Sequence, residues 1–232
     1  MLSEMKKRVY EANMSLWKMG LIVLTWGNVS EIDREKGYIA IKPSGVPYES
    51  MTADDIVIVD LDGNVIEGNL RPSSDLPTHI ELYKSFKNIG GVCHTHSRWA
   101  TVFSQAMLPV PPLGTTHADA FYGAVPITRK LTSEEISGEY EKETGKVIIE
   151  AFENTDPMAI PAALVASHGP FTWGKNAAKA VENAVILEEV AMMAWHTMSI
   201  SSGARIQKEL LDKHYLRKHG KNAYYGQAEI KS

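Results

Sequence analysis

Residues 91–106 read GVCHTHSRWATVFSQA, and this stretch combines a short strand with the first turns of a helix. Residues 91–96 are typical of a buried strand, and Ser97 is a preferred N-cap residue for the helix that follows. Side chains alternate across a strand, so His94 and His96 should project from the same face, about 7 Å apart at the backbone. The stretch therefore predicts a strand that presents two imidazoles to one side before the chain turns into a helix.

Strands and helices are interspersed along the rest of the chain. Residues 21–67 contain strands joined by short turns, and residues 62–64 (DGN) are a strong hairpin signal between two of them. Residues 162–167 predict another apolar strand that ends at His168, whereas residues 109–143 are irregular and mixed. Apolar spacing and end signals predict helices over residues 1–19, 77–86, 97–106, 146–152, 176–198 and 206–218. This order favours one α/β or α+β domain over residues 1–232, without repeats or linkers.

The composition excludes several classes of protein. The chain has 24 basic and 28 acidic residues and a formal net charge of −4, which argues against a nucleic-acid partner. Cys93 is the only cysteine, so the chain has no intrachain disulfide, which fits a reducing cytoplasm. The first residues interleave charged and apolar side chains, unlike a signal peptide. No run approaches the roughly 20 apolar residues that cross a bilayer, so we expect a cytoplasmic protein.

The histidine pattern indicates a metal site. Two imidazoles on one strand face can converge on a single ion, and a third ligand then comes from elsewhere in the chain. His168 suits that role because it ends a predicted strand, and Gly169 beside it allows a close approach of the backbone. The alternative is that His94 and His96 are ordinary half-buried histidines. The remaining histidines lack such settings, and His79 in particular reads as a structural residue of a helix.

Several short segments occur in an order that resembles the class II aldolase/adducin family. They are residues 25–30 (TWGNVS), 42–45 (KPSG), 71–75 (RPSSD), 94–96 (HTH) and 167–170 (SHGP). The tail adds residues 211–220 (LDKHYLRKHG) and 223–227 (AYYGQ), and the closer resemblance within the family is to its L-ribulose-5-phosphate 4-epimerases. The resemblance implies an α/β fold with a central, mainly antiparallel sheet flanked by helices, usually assembled as a cyclic homotetramer.

The resemblance also implies the metal and the reaction. It implies Zn²⁺, replaceable by ions such as Mn²⁺ or Co²⁺, bound by His94, His96 and His168, with Asp75 at the metal as a fourth ligand. Related L-fuculose-phosphate-type aldolases carry a glutamate at that position, where it removes a carbon-bound proton. The shorter Asp75 favours an epimerase, which interconverts L-ribulose 5-phosphate and D-xylulose 5-phosphate by retro-aldol cleavage and re-addition at C3–C4. Such epimerases serve the breakdown of arabinose or of ascorbate.

By the same resemblance, Asp119 and Tyr225 transfer protons on the two sides of the reacting carbon. Without it, Asp119 would read as a solvated loop residue, and Tyr224 and Tyr225 as packing anchors. A terminal tail can reach a neighbouring subunit, so we expect active sites shared between subunits. The resemblance also indicates small residues, hydroxyls and basic groups that suit the substrate phosphate. Several of them would equally suit ordinary turns. They are Gly27, Asn28, Lys42, Ser44, Gly45, Ser73, Ser74 and Arg217.

Two alternatives remain open from the sequence. One is another enzyme of the same family, either an aldolase that acts on a different sugar phosphate or a dehydratase. Asp75 and the C-terminal tail argue against the aldolase. The other is a non-catalytic binding module like the adducin head, which lacks the metal ligands. All three histidines are present here, which argues against that reading.

Overall fold

Seven strands form one sheet in the computed structural model, which describes residues 2–224. In chain order they are β1 (Gly27–Asp33), β2 (Tyr38–Ile41), β3 (Val57–Asp60), β4 (Val65–Glu67), β5 (Gly91–Thr95), β6 (Ala162–Leu164) and β7 (Pro170–Gly174). Neighbouring strands all run antiparallel, in the spatial order β4-β3-β2-β1-β5-β7-β6. This single α/β domain confirms the predicted fold class.

Eight α-helices flank the sheet in the described part of the chain. They are α1 (Leu2–Lys18), α2 (Leu76–Ser85), α3 (Arg98–Ala106), α4 (Thr115–Ala118), α5 (Ser133–Ser137), α6 (Tyr140–Glu150), α7 (Ala177–Ile200) and α8 (Lys208–His219). The longest of them, α7, packs against β5, β7 and α3, whereas α1 packs against β1 and β2. None of the helices within residues 2–224 combines the length and the apolar character needed to cross a membrane.

The two faces of the sheet carry two separate hydrophobic cores. Because side chains alternate along each strand, Ile39 and Ile41 of β2 enter one core and Ala40 between them enters the other. The same alternation in β5 sends Val92 to the larger core and Cys93 to the core beneath α1 and the start of α7. The free thiol of Cys93 is therefore buried in the interior.

Several predicted elements are confirmed by the structure. Strands β3 and β4 form the hairpin predicted around residues 62–64, with Val59 opposite Val65. Asn176 caps α7, since its side-chain oxygen accepts a hydrogen bond from the backbone N–H of Lys179 at 2.9 Å. Helices α1, α2, α3, α7 and α8 begin and end within about two residues of the predicted limits.

Three predictions of local structure were wrong. The strand predicted over residues 162–167 ends at Leu164, because Ser167 adopts a left-handed backbone with φ of 61° and the chain turns there. The sequence did not reveal β7, which begins at Pro170 directly after that turn. Helix α6 begins at Tyr140, six residues before the predicted start at residue 146. The prediction missed this first turn because the turn is charged and lacks an apolar stripe. The region predicted to be irregular therefore contains α4, α5 and the start of α6.

The start of α7 is packed tightly against the central strands. A Cβ atom on Gly91 would lie 2.3 Å from the carbonyl carbon of Asn176 and 2.4 Å from the nitrogen of Ala177. The buried carboxylate of Glu31 on β1 accepts a hydrogen bond from the Ala177 N–H at 3.0 Å, and Arg8 of α1 donates to its other oxygen at 2.7 Å. Glycine at position 91 therefore allows α1, α7, β1 and β5 to meet at one point.

We expect Gly91→Ala to lower the free energy of unfolding by about 3 kcal/mol or more, because the added methyl group overlaps backbone atoms that cannot rotate away. Urea denaturation followed by circular dichroism measures the change. Gly203→Ala is the matched control, since a Cβ at Gly203 would meet no atom within 4 Å. Equal stability of the two variants would contradict the close packing described above.

Candidate metal centre

Three histidines bring their ring nitrogens together at one end of β5. His94 lies in β5, His96 follows its last residue, and His168 lies on the turn between β6 and β7. One nitrogen of each ring lies within 4.8 Å of the others, and the Nε2 atoms of His94 and His96 are 3.0 Å apart. The three residues singled out by the sequence therefore form the group that could hold a metal ion within residues 2–224.

The ring of His94 is fixed on both sides. Its Nδ1 lies 2.9 Å from the carbonyl oxygen of Pro170, which can only accept a hydrogen bond, so Nδ1 carries the proton. The ring also stacks on Phe171 with 4.2 Å between centroids. This tautomer leaves a lone pair on Nε2, the nitrogen that faces His96. The hydrogen bond to Pro170 is the arrangement that orients metal-binding histidines.

Two rings of the histidine cluster, those of His96 and His168, favour the uncharged form. Burial and the neighbouring rings of His94 and His96 lower the pKa of His168 to about 3. Burial, followed by the electrostatic interaction with the neighbouring His94, also lowers the pKa of His96. The hydroxyl of Tyr140 lies 3.4 Å from Nδ1 of His168. Neutral imidazoles offer lone pairs at neutral pH, which is the state in which histidine binds a metal.

A cavity of about 400 Å³ opens over the three histidines. Glycine, hydroxyl and amide groups from three separate segments of the sequence line it, together with Asp75 and Lys42. The residues predicted to contact substrate that lie here are Gly27, Asn28, Lys42, Ser44, Gly45, Ser73 and Ser74. The structure thus gathers seven of the eight predicted substrate-contacting residues around the predicted metal ligands.

Asp75 lines this cavity just before α2. Its Oδ2 accepts a hydrogen bond from Nδ2 of Asn28 at 2.6 Å, and the same amide donates to Oγ of Ser73 at 3.0 Å. Burial acts to raise the pKa of Asp75, but the electrostatic interactions with His94 and His79 and the Asn28 hydrogen bond outweigh burial and lower the pKa. The carboxylate is thus held ionised near the histidines, although its oxygens lie outside the cluster of the three ring nitrogens.

Lys42 places a buried ammonium group in the wall of the same cavity. Its Nζ donates to the carbonyl oxygens of Pro43 at 3.3 Å and Val46 at 2.8 Å, and it lies 4.8 Å from the centroid of the Tyr48 ring. Burial lowers the pKa of Lys42 to about 8. Within residues 2–224, no carboxylate forms a salt bridge with this ammonium. The cavity therefore contains a cation without an acidic partner.

The family model described as Class II Aldolase and Adducin N-terminal domain matches residues 7–195. The chain belongs to the class II aldolase/adducin family. Class II aldolases use a divalent metal ion, usually Zn²⁺. Three converging imidazoles fit such an ion, because catalytic zinc sites combine three protein ligands with an open position for water or substrate.

Solved structures of family members share the fold over most of their length. An L-fuculose 1-phosphate aldolase is 26% identical, with a TM-score of 0.74 over 91% of this chain and 94% of that one. The L-fuculose-1-phosphate aldolase of Thermus thermophilus is 23% identical, with a TM-score of 0.67 over 88% and 98%. A sugar-phosphate aldolase from Thermotoga maritima is 18% identical, with a TM-score of 0.66 over 89% and 99%. The last two similarities establish the fold alone.

Asp119 lies in a different part of this class II aldolase domain. It lines a second cavity, of about 470 Å³, and its carboxylate contacts Nδ1 of His214 at 2.9 Å. Arg217 and Lys218 each approach the same carboxylate at 3.1 Å. Burial acts to raise the pKa of Asp119, but the hydrogen bonds from His214, Lys218 and Arg217 prevail and lower the pKa. Arg217 thus pairs with Asp119 and does not line the histidine cavity, and Tyr225 lies outside the described residues.

The sequence missed some residues that line the histidine cavity. Tyr140 and Glu141 lie in the first turn of α6, where no apolar pattern indicated a helix. Thr25 and Trp26 also line the cavity, and their place in the TWGNVS segment could have indicated this. The contact between His214 and Asp119 joins residues 95 positions apart, and no local pattern in the sequence indicated it.

We expect the protein to bind one divalent ion per chain and His168→Asn to weaken Zn²⁺ binding, because the substitution removes one of three converging nitrogens. The loss should exceed the roughly 10–100-fold that follows removal of an outer hydrogen-bond partner. Competition with a chromophoric chelator measures the affinity. His196→Asn, on the exposed side of α7, is the control and should bind like the unmodified protein. Identical affinities for the two variants would place the metal elsewhere.

Proposed function

We propose that the chain is a metal-dependent L-ribulose-5-phosphate 4-epimerase, with residues 1–232 as one catalytic domain. The observation that carries the proposal is an aspartate, Asp75, beside a three-histidine cluster in a cavity lined by groups suited to a phosphate. We also propose a cytoplasmic location, where a buried free thiol such as that of Cys93 stays reduced.

The side chain of Asp75 distinguishes the epimerase from an aldolase. An aldolase removes a carbon-bound proton from dihydroxyacetone phosphate, and by resemblance a glutamate performs that step. Asp75 is one methylene shorter, and the amide of Asn28 holds its carboxylate at 2.6 Å. An epimerase that cleaves C3–C4 forms its enediol intermediate without removing a proton from carbon. In such an epimerase, Asp75 can therefore serve as a fourth ligand of the metal ion.

The three histidines would hold a metal ion at the reacting end of the substrate. When bound by His94, His96 and His168, a divalent ion supplies a Lewis acid that stabilises negative charge on the substrate oxygens as C3–C4 breaks. The hydrogen bond from His94 to Pro170 holds one ring in place throughout the reaction. We propose Zn²⁺ as the ion, with Mn²⁺ or Co²⁺ as functional replacements.

We propose that the cavity wall formed by the KPSG and RPSSD segments holds the phosphate. The KPSG and RPSSD segments are joined there, because the N–H of Ser44 donates to the carbonyl of Arg71 and the N–H of Ser73 donates to that of Lys42, both at 2.9 Å. Ser44, Ser73 and Ser74 add hydroxyl groups, and Lys42 adds the unpaired ammonium. A phosphate would supply the missing anion and keep the glycolaldehyde phosphate bound while its aldehyde group turns.

We propose Asp119 and Tyr225 as the groups that hold and move the proton of the C4 hydroxyl. Attack on the two faces of the aldehyde puts the C4 oxygen on opposite sides, so each side needs one such group. Within one chain Asp119 lines a different cavity from the histidines, which favours its delivery from a neighbouring copy. The proposal therefore includes a homotetramer with shared active sites, in which Arg217 and His214 hold the incoming carboxylate.

An aldolase activity is the second candidate. It is favoured by the 26% identity to an L-fuculose 1-phosphate aldolase, whose fold covers 91% of this chain. The histidine cluster and the phosphate-type cavity suit either reaction. The two candidates differ in the substrates that they convert.

We expect metal-loaded protein to convert L-ribulose 5-phosphate to D-xylulose 5-phosphate, and protein treated with a chelator to lose this activity. A coupled assay for D-xylulose 5-phosphate measures the product, and restoring the metal to the chelated sample is the control. Condensation of dihydroxyacetone phosphate with an aldehyde, without epimerisation, would replace the epimerase by the aldolase. Neither activity in protein that contains metal would exclude both.

We expect kcat/KM for the phosphorylated substrate to fall as the pH rises above about 8, because the lowered pKa of Lys42 leaves its amine charged only below that value. Lys42→Gln should have a lower kcat/KM at pH 7 and should lack the alkaline decline. Lys7→Gln, on the exposed face of α1, is the control and should keep the decline. A decline that persists in Lys42→Gln would assign it to another group.

A further inference from the structure

His96 is the one histidine of the cluster that is followed within two residues by a helix. The ladder between β5 and β1 ends with Thr95 opposite Gly27, and the ladder between β5 and β7 ends with His94 opposite Phe171. His96 therefore follows the last paired residue of β5 and is exposed. Helix α3 begins at Arg98, two residues later, so the position of this helix end constrains the backbone that carries the His96 ring.

The N-terminus of α3 has no cap from its own sequence. Ser97 occupies the N-cap position, but its side chain makes no capping hydrogen bond. The first turn contains no acidic residue, and its first residue is Arg98, whose charge is unfavourable at the positive end of the helix dipole. This helix end needs hydrogen-bond acceptors from elsewhere, because the first N–H groups of a helix have no partners within it.

Glu188, in the middle of α7, supplies those acceptors. One carboxylate oxygen accepts the N–H of Trp99 at 2.9 Å, and the other accepts the N–H of Ala100 at 3.0 Å. Two hydrogen bonds to one carboxylate fix both the position and the direction of the helix end. The negative charge also compensates the dipole of α3, which its own sequence does not do.

Helix α7 is itself tied to the strand that orients the other two histidines. Asn183 of α7 donates to the carbonyl of Trp173 at 2.7 Å, and Thr172 donates to the carbonyl of Ala180 at 2.8 Å. Both strand residues lie in β7, whose first residue, Pro170, accepts the hydrogen bond from His94. His168 lies on the turn that enters the same strand. Glu188 thus connects α3 to the unit that already positions two of the three nitrogens.

We propose that Glu188 is a positioning residue for the metal centre. By capping α3, Glu188 holds His96 in place. This inference rests on the proposed metal site. It predicts that the contribution of Glu188 is detectable in the coordination of the ion, beyond any effect on folding. Glu189, the next residue of the same helix, is exposed and offers a matched control.

The test compares Glu188→Gln with Glu189→Gln and with the unmodified protein. Glutamine keeps the size of the side chain but leaves one acceptor in place of two and removes the charge. We expect Glu188→Gln to bind Zn²⁺ about tenfold more weakly in chelator competition, the lower end of the range for outer hydrogen-bond partners. The visible absorption of the Co²⁺-loaded variant should shift, and the amides of Trp99 and Ala100 should exchange hydrogen faster. Glu189→Gln should match the unmodified protein in all three measurements.

The outcomes separate the inference from the proposed function. Unmodified protein that binds no Zn²⁺ or Co²⁺ would overturn the metal site and this inference with it. If the unmodified protein binds metal but Glu188→Gln shows the same affinity and Co²⁺ spectrum, with only a lower melting temperature, Glu188 is a structural residue and the inference alone fails. If Glu188→Gln does not fold, Glu188→Asp provides the same comparison, because it keeps the charge but shortens the reach by one methylene.

Discussion

The hydrogen bond between His94 and the carbonyl of Pro170 is the contact on which the candidate site depends. It connects residues 76 positions apart in sequence and joins β5 to the first residue of β7. It sets the tautomer of His94 and thereby directs a lone pair toward His96. Because the chain enters β7 through the turn that carries His168, the same pairing brings the third ring to the cluster. One strand pairing thus converts two distant segments into a three-nitrogen site.

The walls of the cavity show a second constraint, the burial of charge. Lys42 keeps an ammonium group among carbonyl oxygens and an aromatic ring, and burial shifts its pKa to about 8. An uncompensated buried charge is costly, so such a group is more stable when an anion enters the cavity. Asp75 has the opposite situation, because nearby histidines and Asn28 favour its charged form. The walls of the cavity therefore contain both a cation suited to a phosphate and a carboxylate near the histidines.

Asp119 lies away from the histidine cavity of its own chain and contacts the last helix. Its carboxylate is surrounded by His214, Arg217 and Lys218, all on α8, and these keep it ionised at the edge of a different cavity. Helix α8 has no fully buried residue, so it contributes little to the core of its own chain. It contacts Asp119 through three side chains and Tyr122 through Asp212 and Tyr215.

The sequence by itself determined several local elements and the pair His94 and His96, because alternation along a strand, turn residues and helix caps act over a few neighbouring positions. The hairpin around residues 62–64 and the Asn176 cap were predictable for that reason. Only the tertiary structure decided that β7 continues from the His168 turn, that Tyr140 lines the cavity and that Glu188 caps α3. These features depend on contacts between residues far apart in sequence, such as the 88-residue separation between Ala100 and Glu188, and no local periodicity encodes such contacts.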